Sequence, residues 1–360
     1  MTLREKWDVH THTVTSPDTY ESLGRFSHYA DFIRIRAHKT KPCCAEMVNS
    51  KGEVQREIEE NAYNGAVRVS ECDIHGVTFQ VLSPTPMMMP DYVDNAADAA
   101  EICKILNDDN AATVARFPKR FTAIGALPMQ YPDLAIKEMQ RIHDKLGMRG
   151  IEINSNVNGL DLDDALLFPV FEAAAALDMA VFVHPWGGFM APTEERLKKR
   201  MNAGRNWRPW LIGMGMETAL AFDSMRCGGV HERLPKLRVM YAHGGGAFPA
   251  LLGRLDHGAY CRPDLFEKSS QLDPFATVKK CGVYVDSLVH DPQVLEMLVK
   301  SLGAERIAMG SDYPYPLGEI DTRNIKKVYP GHIIEHLAGL TEAQRARMLS
   351  GTAKEWLGYR

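Results

Sequence analysis

The sequence has little that would mark a secreted, membrane-spanning or nucleic-acid-binding protein. It contains no run of about 18 apolar residues, the length needed to cross a bilayer, and its first residues lack the apolar core of a secretory signal. Its seven cysteines include no C-x-x-C pair, which favours free thiols over a disulfide framework. A net charge of −4 without a long basic run argues against nucleic acid as a partner. We therefore expect a globular cytoplasmic protein.

The 360 residues also lack a linker that would divide the chain and a Gly-x-Gly-x-x-Gly after the first apolar segment. Eight apolar strands are expected instead, most of them separated by helices. The strands begin near Trp7, Val77, Phe121, Gly150, Met179, Leu237, Gly282 and Arg306. The clearest helices are expected at about 93–117, 133–146, 164–177, 216–230, 248–260 and 292–302, with a closing helix at 341–357.

Strands that alternate with helices indicate a parallel sheet, and eight such units are what a closed (β/α)8 TIM barrel requires. The alternative is an open, doubly wound sheet. We expect one domain over residues 1–360. Within it, residues 13–55 form a long, irregular segment, and loops of this length tend to be functional covers.

Histidine and aspartate stand at the ends of several predicted strands. His10 and His12 are two residues apart on the first strand and therefore point to the same side. His184, His243 and Asp312 end strands five, six and eight. The carboxyl ends of barrel strands converge on one mouth, so these side chains are expected to meet there. Imidazole and carboxylate ligands suit Zn²⁺ and also Mn²⁺, Fe²⁺ or Co²⁺.

Such a site predicts a hydrolytic or lyase chemistry that begins with water. Three histidines and one aspartate leave room for a water, whose pKa a bound metal lowers toward about 7. A further group beside the water, rather than on the metal, would act as the general base. His243 is followed by Gly244, Gly245 and Gly246, a turn that allows close approach to a substrate.

The motifs of this chain resemble those of the amidohydrolase superfamily, and within it the aminocarboxymuconate-semialdehyde decarboxylase family. The match runs from about residue 6 to the end, and AHGGGAFP is its most specific part. The motifs that carry it are His10-Thr11-His12, Val183-His184-Pro185-Trp186, Ala242 to Pro249 and Gly310-Ser311-Asp312-Tyr313-Pro314.

The resemblance implies a metal, usually zinc, held by His10, His12, His184 and Asp312, with His243 as acid/base and Asp312 as both ligand and catalytic residue. It also implies that Arg56 and Arg254 hold substrate carboxylates, and that Trp186, Trp210 and Tyr315 contact the substrate. Without the resemblance, Arg56 would be typical of a solvated charge on a helix face and Trp210 of a core residue.

The resemblance further implies a small-molecule carboxylate as substrate and a homodimer. Arg254 lies about five residues into the helix that starts near Phe248. At ~1.5 Å per residue this carries it ~8 Å from the rim, so we expect Arg254 to enter the partner's site.

The expected activity is metal-dependent, non-oxidative decarboxylation of 2-amino-3-carboxymuconate-6-semialdehyde or a related unsaturated carboxylate, by addition of metal-bound hydroxide and loss of CO₂. The alternatives are decarboxylation of an ortho-hydroxybenzoate-type acid, hydrolysis of a lactone or amide, and a non-enzymatic metal-binding role.

The chain departs from the family in two segments near the mouth. The family often has an aspartate after His-Pro-Trp, where this chain has Gly187-Gly188-Phe189, and the following loop over residues 190–205 is longer and basic. Residues 13–50 also match poorly. Because these segments shape the mouth, the departures bear on the identity of the substrate more than on the type of reaction.

Overall fold

A ring of parallel strands forms the centre of the computed structural model, which describes residues 4–190, 194–202, 206–266, 270–320 and 328–359. The strands of this ring are almost entirely buried, as expected for parallel strands covered on both faces. In chain order the strands of the described residues are β1 (Trp7–Thr13), β2 (Arg34–Ala37), β3 (Cys44–Val48), β4 (Val54–Glu59), β5 (Phe79–Pro84), β6 (Phe121–Ala123), β7 (Gly125–Ala126), β8 (Gly150–Asn154), β9 (Ala180–His184), β10 (Val239–Tyr241), β11 (Val283–Asp286) and β12 (Ile307–Ala308). All of them except β2, β3 and β4 belong to the ring.

Backbone hydrogen bonds close the ring. β1 pairs with β5 and β5 with β6, while β7 to β12 pair in sequence order. Ile124, which lies between β6 and β7, donates its N–H to Leu82 O at 3.0 Å, so β6 and β7 act as one strand. Val9 N–H donates to Met309 O at 2.9 Å and His12 N–H to Tyr313 O at 2.7 Å, which joins β1 to the end of β12. Among the described residues, eight strands thus form the TIM barrel, which excludes the open sheet.

Helices surround the ring and follow the expected pattern closely. They are α1 (Gly65–His75), α2 (Ala96–Arg116), α3 (Pro132–Leu146), α4 (Phe168–Ala176), α5 (Glu195–Arg200), α6 (Met214–Cys227), α7 (Val230–Arg233), α8 (Phe248–Cys261), α9 (Pro274–Lys280), α10 (Pro292–Leu302), α11 (His332–His336), α12 (Glu342–Ala346) and α13 (Thr352–Trp356). The expected single closing helix is divided, because a π-helical turn at Arg347–Gly351 separates α12 from α13. No described helix is long and apolar enough to span a membrane.

The segment after β1 differs from expectation, because it is not irregular throughout. β2, β3 and β4 form an antiparallel sheet in which Met47 faces Arg56, and this sheet runs past residue 55 to Glu59. Five of the six residues of β4 are exposed, so the strand shows no alternation of apolar and polar residues. The sheet packs on its own apolar cluster, which includes Phe26, Ile35 and Met88. Arg56 therefore lies on a strand, not on a helix face.

Candidate metal centre

The three histidines and the aspartate predicted as metal ligands meet at the carboxyl end of the barrel. His10 and His12 lie on β1, His184 ends β9, and Asp312 follows β12. One ligand atom from each lies within 4.8 Å of the others. All four side chains are buried, since Asp312, the most exposed of them, is 6% exposed.

The arrangement of nitrogen and oxygen atoms in this cluster fits a divalent cation. The Nε2 atoms of His10 and His12 lie 3.2 Å apart, and Asp312 Oδ1 lies 3.6 Å from the first and 3.2 Å from the second. His184 Nδ1 contacts Pro185 O at 3.2 Å, and its Nε2 is buried without a partner. Lone pairs that face one another in a dry site are costly, and a cation between them satisfies all of them.

Burial and neighbouring charges set the protonation of these groups. Burial lowers the pKa of His184 well below its usual value, and the neighbouring histidines lower it further, so the imidazole is neutral. Burial alone would raise the pKa of Asp312, but the neighbouring imidazoles of His12 and His10 lower it. A neutral imidazole and an ionised carboxylate are the forms in which these residues bind metal ions.

Asp286, at the end of β11, orients His10 and was not singled out from the sequence. Its carboxylate is fully buried, and Oδ2 accepts a hydrogen bond from His10 Nδ1 at 2.6 Å. This places the proton of His10 on Nδ1 and leaves the Nε2 lone pair free for a metal ion, as in many carboxylate–histidine–metal arrangements. A carboxylate at the end of a predicted barrel strand was the signal that could have identified it.

His243 lies beside the cluster rather than in it. Its ring centroid is 5.0 Å from that of His10 and 5.1 Å from that of His184, and neither ring nitrogen has a hydrogen-bond partner. Burial, together with the neighbouring His10, lowers the pKa of His243 to about 4. The imidazole is therefore neutral at pH 7 and able to accept a proton. Asp286 holds its backbone, accepting from His243 N–H at 2.8 Å.

Arg68, on α1, contacts both β1, which carries His10 and His12, and the segment after β12 that carries Asp312. Its side chain is 2% exposed, donates to the backbone oxygen of His12, and donates to Thr11 Oγ1 at 3.2 Å. The guanidinium also lies over the ring of Tyr313 at 4.8 Å. No pattern in the sequence distinguishes Arg68 from an ordinary charged residue on a helix.

A cavity opens over the cluster and is lined by the residues that the family resemblance assigns to the substrate. Arg56, Trp186, Trp210 and Tyr315 share it with His12, His184 and Asp312. The guanidinium of Arg56 lies 5.2 Å from the ring centroid of Tyr315, and Tyr315 donates its hydroxyl to Thr85 Oγ1 at 2.7 Å. Arg56 is exposed and forms no ion pair among the described residues, so it is free to bind an anion.

Arg254 is the predicted site residue that the fold keeps apart. It lies on α8, is exposed, and does not line the cavity of its own chain.

Glu217, on α6, takes part in shaping the mouth next to Gly187-Gly188-Phe189. Its carboxylate accepts from Phe189 N–H at 2.6 Å and from Ser155 Oγ at 3.3 Å. Gly188 has φ +45°, and a Cβ there would lie 2.1 Å from Glu217 Oε1. A side chain at the second glycine after His-Pro-Trp would be strained by this φ and would displace the carboxylate of Glu217.

Comparison with known proteins places these features in a family. The amidohydrolase family model matches residues 7–359. The chain is 40% identical over 353 residues to 2-amino-3-carboxymuconate-6-semialdehyde decarboxylase of Dictyostelium discoideum, which covers 98% of this chain and 91% of that protein. It is 29% identical over 261 residues to gamma-resorcylate decarboxylase of Polaromonas sp., which covers 69% of this chain and 76% of that protein. A dihydroxybenzoic acid decarboxylase from Polaromonas sp., solved with bound manganese and 2-nitroresorcinol, has a TM-score of 0.72 at 23% identity over 99% of this chain and 97% of that one.

Proposed function

The chain belongs to the amidohydrolase superfamily and within it to the aminocarboxymuconate-semialdehyde decarboxylase family, and from this we propose that it is a metal-dependent decarboxylase. The proposed substrate is 2-amino-3-carboxymuconate-6-semialdehyde or a closely related unsaturated carboxylate. One observation carries the proposal: a buried His10–His12–His184–Asp312 cluster lies next to a neutral histidine, beneath a cavity with a free arginine at its mouth.

His10, His12, His184 and Asp312 are proposed to hold the divalent ion. When bound, the ion supplies Lewis acidity that makes a water nucleophilic at neutral pH. Zinc is the first choice because three imidazole nitrogens and one carboxylate suit it, while manganese, iron and cobalt accept the same ligands. The manganese bound in the similar dihydroxybenzoic acid decarboxylase supports manganese, iron or cobalt as the alternative to zinc.

His243 is proposed to move the proton. It takes the proton of the attacking water on a free ring nitrogen and places it on the carbon that bears the departing carboxylate, while the hydroxyl group adds to the neighbouring carbon. Loss of CO₂ reforms the double bond and expels the added hydroxyl group, and one solvent proton restores water. The net change exchanges CO₂ for one proton.

Arg56, Trp186, Trp210 and Tyr315 are proposed to bind the substrate. The guanidinium of Arg56 is suited to a planar carboxylate, which it can hold through two parallel hydrogen bonds. The two indoles and the phenol provide flat apolar surface around it.

Reduced thiols throughout the chain agree with a cytoplasmic location, which we also propose.

Arg254 is proposed to act in the site of a partner subunit. Its side chain forms no hydrogen bond or ion pair within the described residues, and it is exposed on α8. α6 packs against α8, and α6 and the turn before it present Leu211, Ile212 and Leu220, which are 55%, 56% and 49% exposed. Exposed apolar side chains on one helix and an unpaired arginine on the helix packed against it suit a two-fold interface, where a second copy buries the apolar side chains and receives the arginine.

The activity is tested by offering the purified, metal-loaded protein three kinds of substrate. We expect CO₂ release from 2-amino-3-carboxymuconate-6-semialdehyde, little or none from 2,6-dihydroxybenzoate, and no hydrolysis of a lactone or amide. Faster CO₂ release from 2,6-dihydroxybenzoate would favour the second candidate, which the similarity to gamma-resorcylate decarboxylase supports. Hydrolysis without CO₂ release would contradict a decarboxylase altogether.

The dimer is tested by mixing two inactive variants. Arg56→Ala and Arg254→Ala should each be almost inactive alone. In a mixed dimer one site collects both changes and the other collects neither. Refolding the variants together should restore roughly a quarter of the wild-type activity, because about half of the dimers are mixed and each has one intact site. A mixture as inactive as its parents, although subunits demonstrably exchange, would show that Arg254 does not act in trans.

A further inference from the structure

The third indole at the mouth, that of Trp207, has no role in the reaction described so far. Trp207 precedes the turn that leads into α6 and lines the same cavity as His12, His184 and Asp312. Its ring lies 5.8 Å from that of Trp210 with an angle of 32° between the two planes. Trp207 is nevertheless 38% exposed, so part of its surface is left without a protein partner.

The backbone holds this indole in place at a conformational cost. Asn206 and Trp207 have φ values of +61° and +50°, in the left-handed region. Asparagine visits this region readily, but for a residue as bulky as tryptophan it is unfavourable. The carbonyl of Trp207 accepts from Leu211 N–H at 3.1 Å, so the strained residue also begins the first turn of the following helix. The packing of a half-exposed indole offsets little of this conformational cost. Such outliers cluster at active sites, ligand clamps and switch regions.

The rest of the cavity indicates what ligand this surface suits. Arg56 offers one positive charge at the mouth, which fixes one end of an acid. The tilted pair formed by Trp207 and Trp210 offers aromatic surface in the same cavity that His184 lines. A planar conjugated acid gains stacking and dispersion along its whole length on such a surface, whereas a puckered saturated acid touches it at a few atoms.

We infer that Trp207 is a specificity-determining residue that selects planar, conjugated carboxylic acids by stacking on them. The inference rests on the proposed decarboxylase activity, whose substrate must be an acid, and adds that this acid is planar. Trp207 contributes binding and does not move a proton, so its loss should raise KM for the substrate more than it lowers kcat.

Two acids with the same carboxylate spacing test the inference without turnover. Benzene-1,3-dicarboxylate is planar, and cis-cyclohexane-1,3-dicarboxylate is puckered. Their affinities for the metal-loaded protein are measured by calorimetry for the wild type, Trp207→Leu and Trp207→Phe. The exposed aromatic Phe275 lies on α9 outside the cavity, so Phe275→Leu is the matched control.

We expect the wild type to prefer the planar acid, and Trp207→Leu to bind that acid about three- to tenfold more weakly while binding of the puckered acid changes by less than about twofold. Trp207→Phe should retain most of the preference, and Phe275→Leu all of it. Equal losses for both acids, or no loss for the planar one, would overturn the inference. The puckered acid also reports whether the variant is folded.

The measurement is independent of the proposed activity. If Trp207→Leu loses the planar preference while no CO₂ is released from any substrate, the proposed decarboxylase fails and the role of Trp207 stands. If CO₂ is released and the preference for the planar acid does not depend on Trp207, the proposed decarboxylase stands and the role of Trp207 fails.

Discussion

Replacing Asp286 by asparagine should test how the orientation of His10 affects metal binding, because the four proposed ligands stay and only the partner of His10 Nδ1 changes. The carboxylate of Asp286 is surrounded by hydrogen-bond donors. Oδ1 accepts from Gly244 N–H at 2.8 Å and Leu288 N–H at 3.0 Å, while Oδ2 accepts from His10 Nδ1 at 2.6 Å and His243 N–H at 2.8 Å.

An asparagine has one oxygen, so whichever way its amide turns, two of these donors meet an NH₂ group. Each buried donor left unpaired costs about 1–3 kcal/mol. His10 can relieve one conflict by moving its proton from Nδ1 to Nε2. That tautomer places an N–H on the atom that faces His12 and Asp312 and blocks metal binding through it. We therefore expect the metal affinity of Asp286→Asn to fall by about 10- to 100-fold.

The assay loads wild type and variant with zinc and measures the metal retained against increasing concentrations of a competing chelator. Turnover per bound metal is then measured at saturating zinc. Asp291→Asn is the matched control, because Asp291 is an exposed carboxylate that caps α10 away from the site, and asparagine is an equally good cap. Retention by Asp286→Asn within about threefold of the wild type, a change far below the usual range for such partners, would refute the orienting role of Asp286.

Three further substitutions test a proposed ligand, His184, the proposed general base, His243, and the buried arginine that contacts β1, Arg68. His184→Ala should lose most of its metal and its activity together, because the three remaining ligands bind less tightly, and a full complement of metal by elemental analysis would remove His184 from the ligand set. His243→Ala should keep most of its metal but turn over about 10²- to 10⁴-fold more slowly, the usual range for a general acid/base, and activity within a few-fold would contradict that role. Arg68→Met keeps a similar volume but leaves the His12 carbonyl without its donor, so urea unfolding should show a loss of about 1–3 kcal/mol together with weaker metal retention, while the exposed Arg116→Met should show neither.

The convergence of the candidate ligands and the barrel could be predicted because both follow from local patterns. A two-residue spacing on a strand places His10 and His12 on one side whatever the rest of the chain does. His184 and Asp312 end apolar segments separated by helices, and in a parallel barrel every such end reaches the same mouth. The closing bonds between β1 and the end of β12 complete this geometry.

The antiparallel sheet over β2, β3 and β4 could not be predicted in the same way. Its last strand is mostly exposed, so apolar and polar residues do not alternate around Arg56 as they do in a half-buried strand. The sequence therefore allowed a helix-face interpretation of Arg56, and the position of that arginine beside Tyr315 depends on how the sheet docks over the mouth.

The contacts that prepare the site for chemistry were decided by the tertiary structure alone. Asp286 is 276 residues from His10 in the chain, yet their hydrogen bond determines which nitrogen of His10 is free. Arg68 reaches the His12 carbonyl across 56 residues, from a helix whose pattern shows nothing unusual at that position. By itself the sequence determines which side chains end the strands, because strand period and chain order are local. Their tautomers, charges and orientation come from partners brought close only when the ring closes.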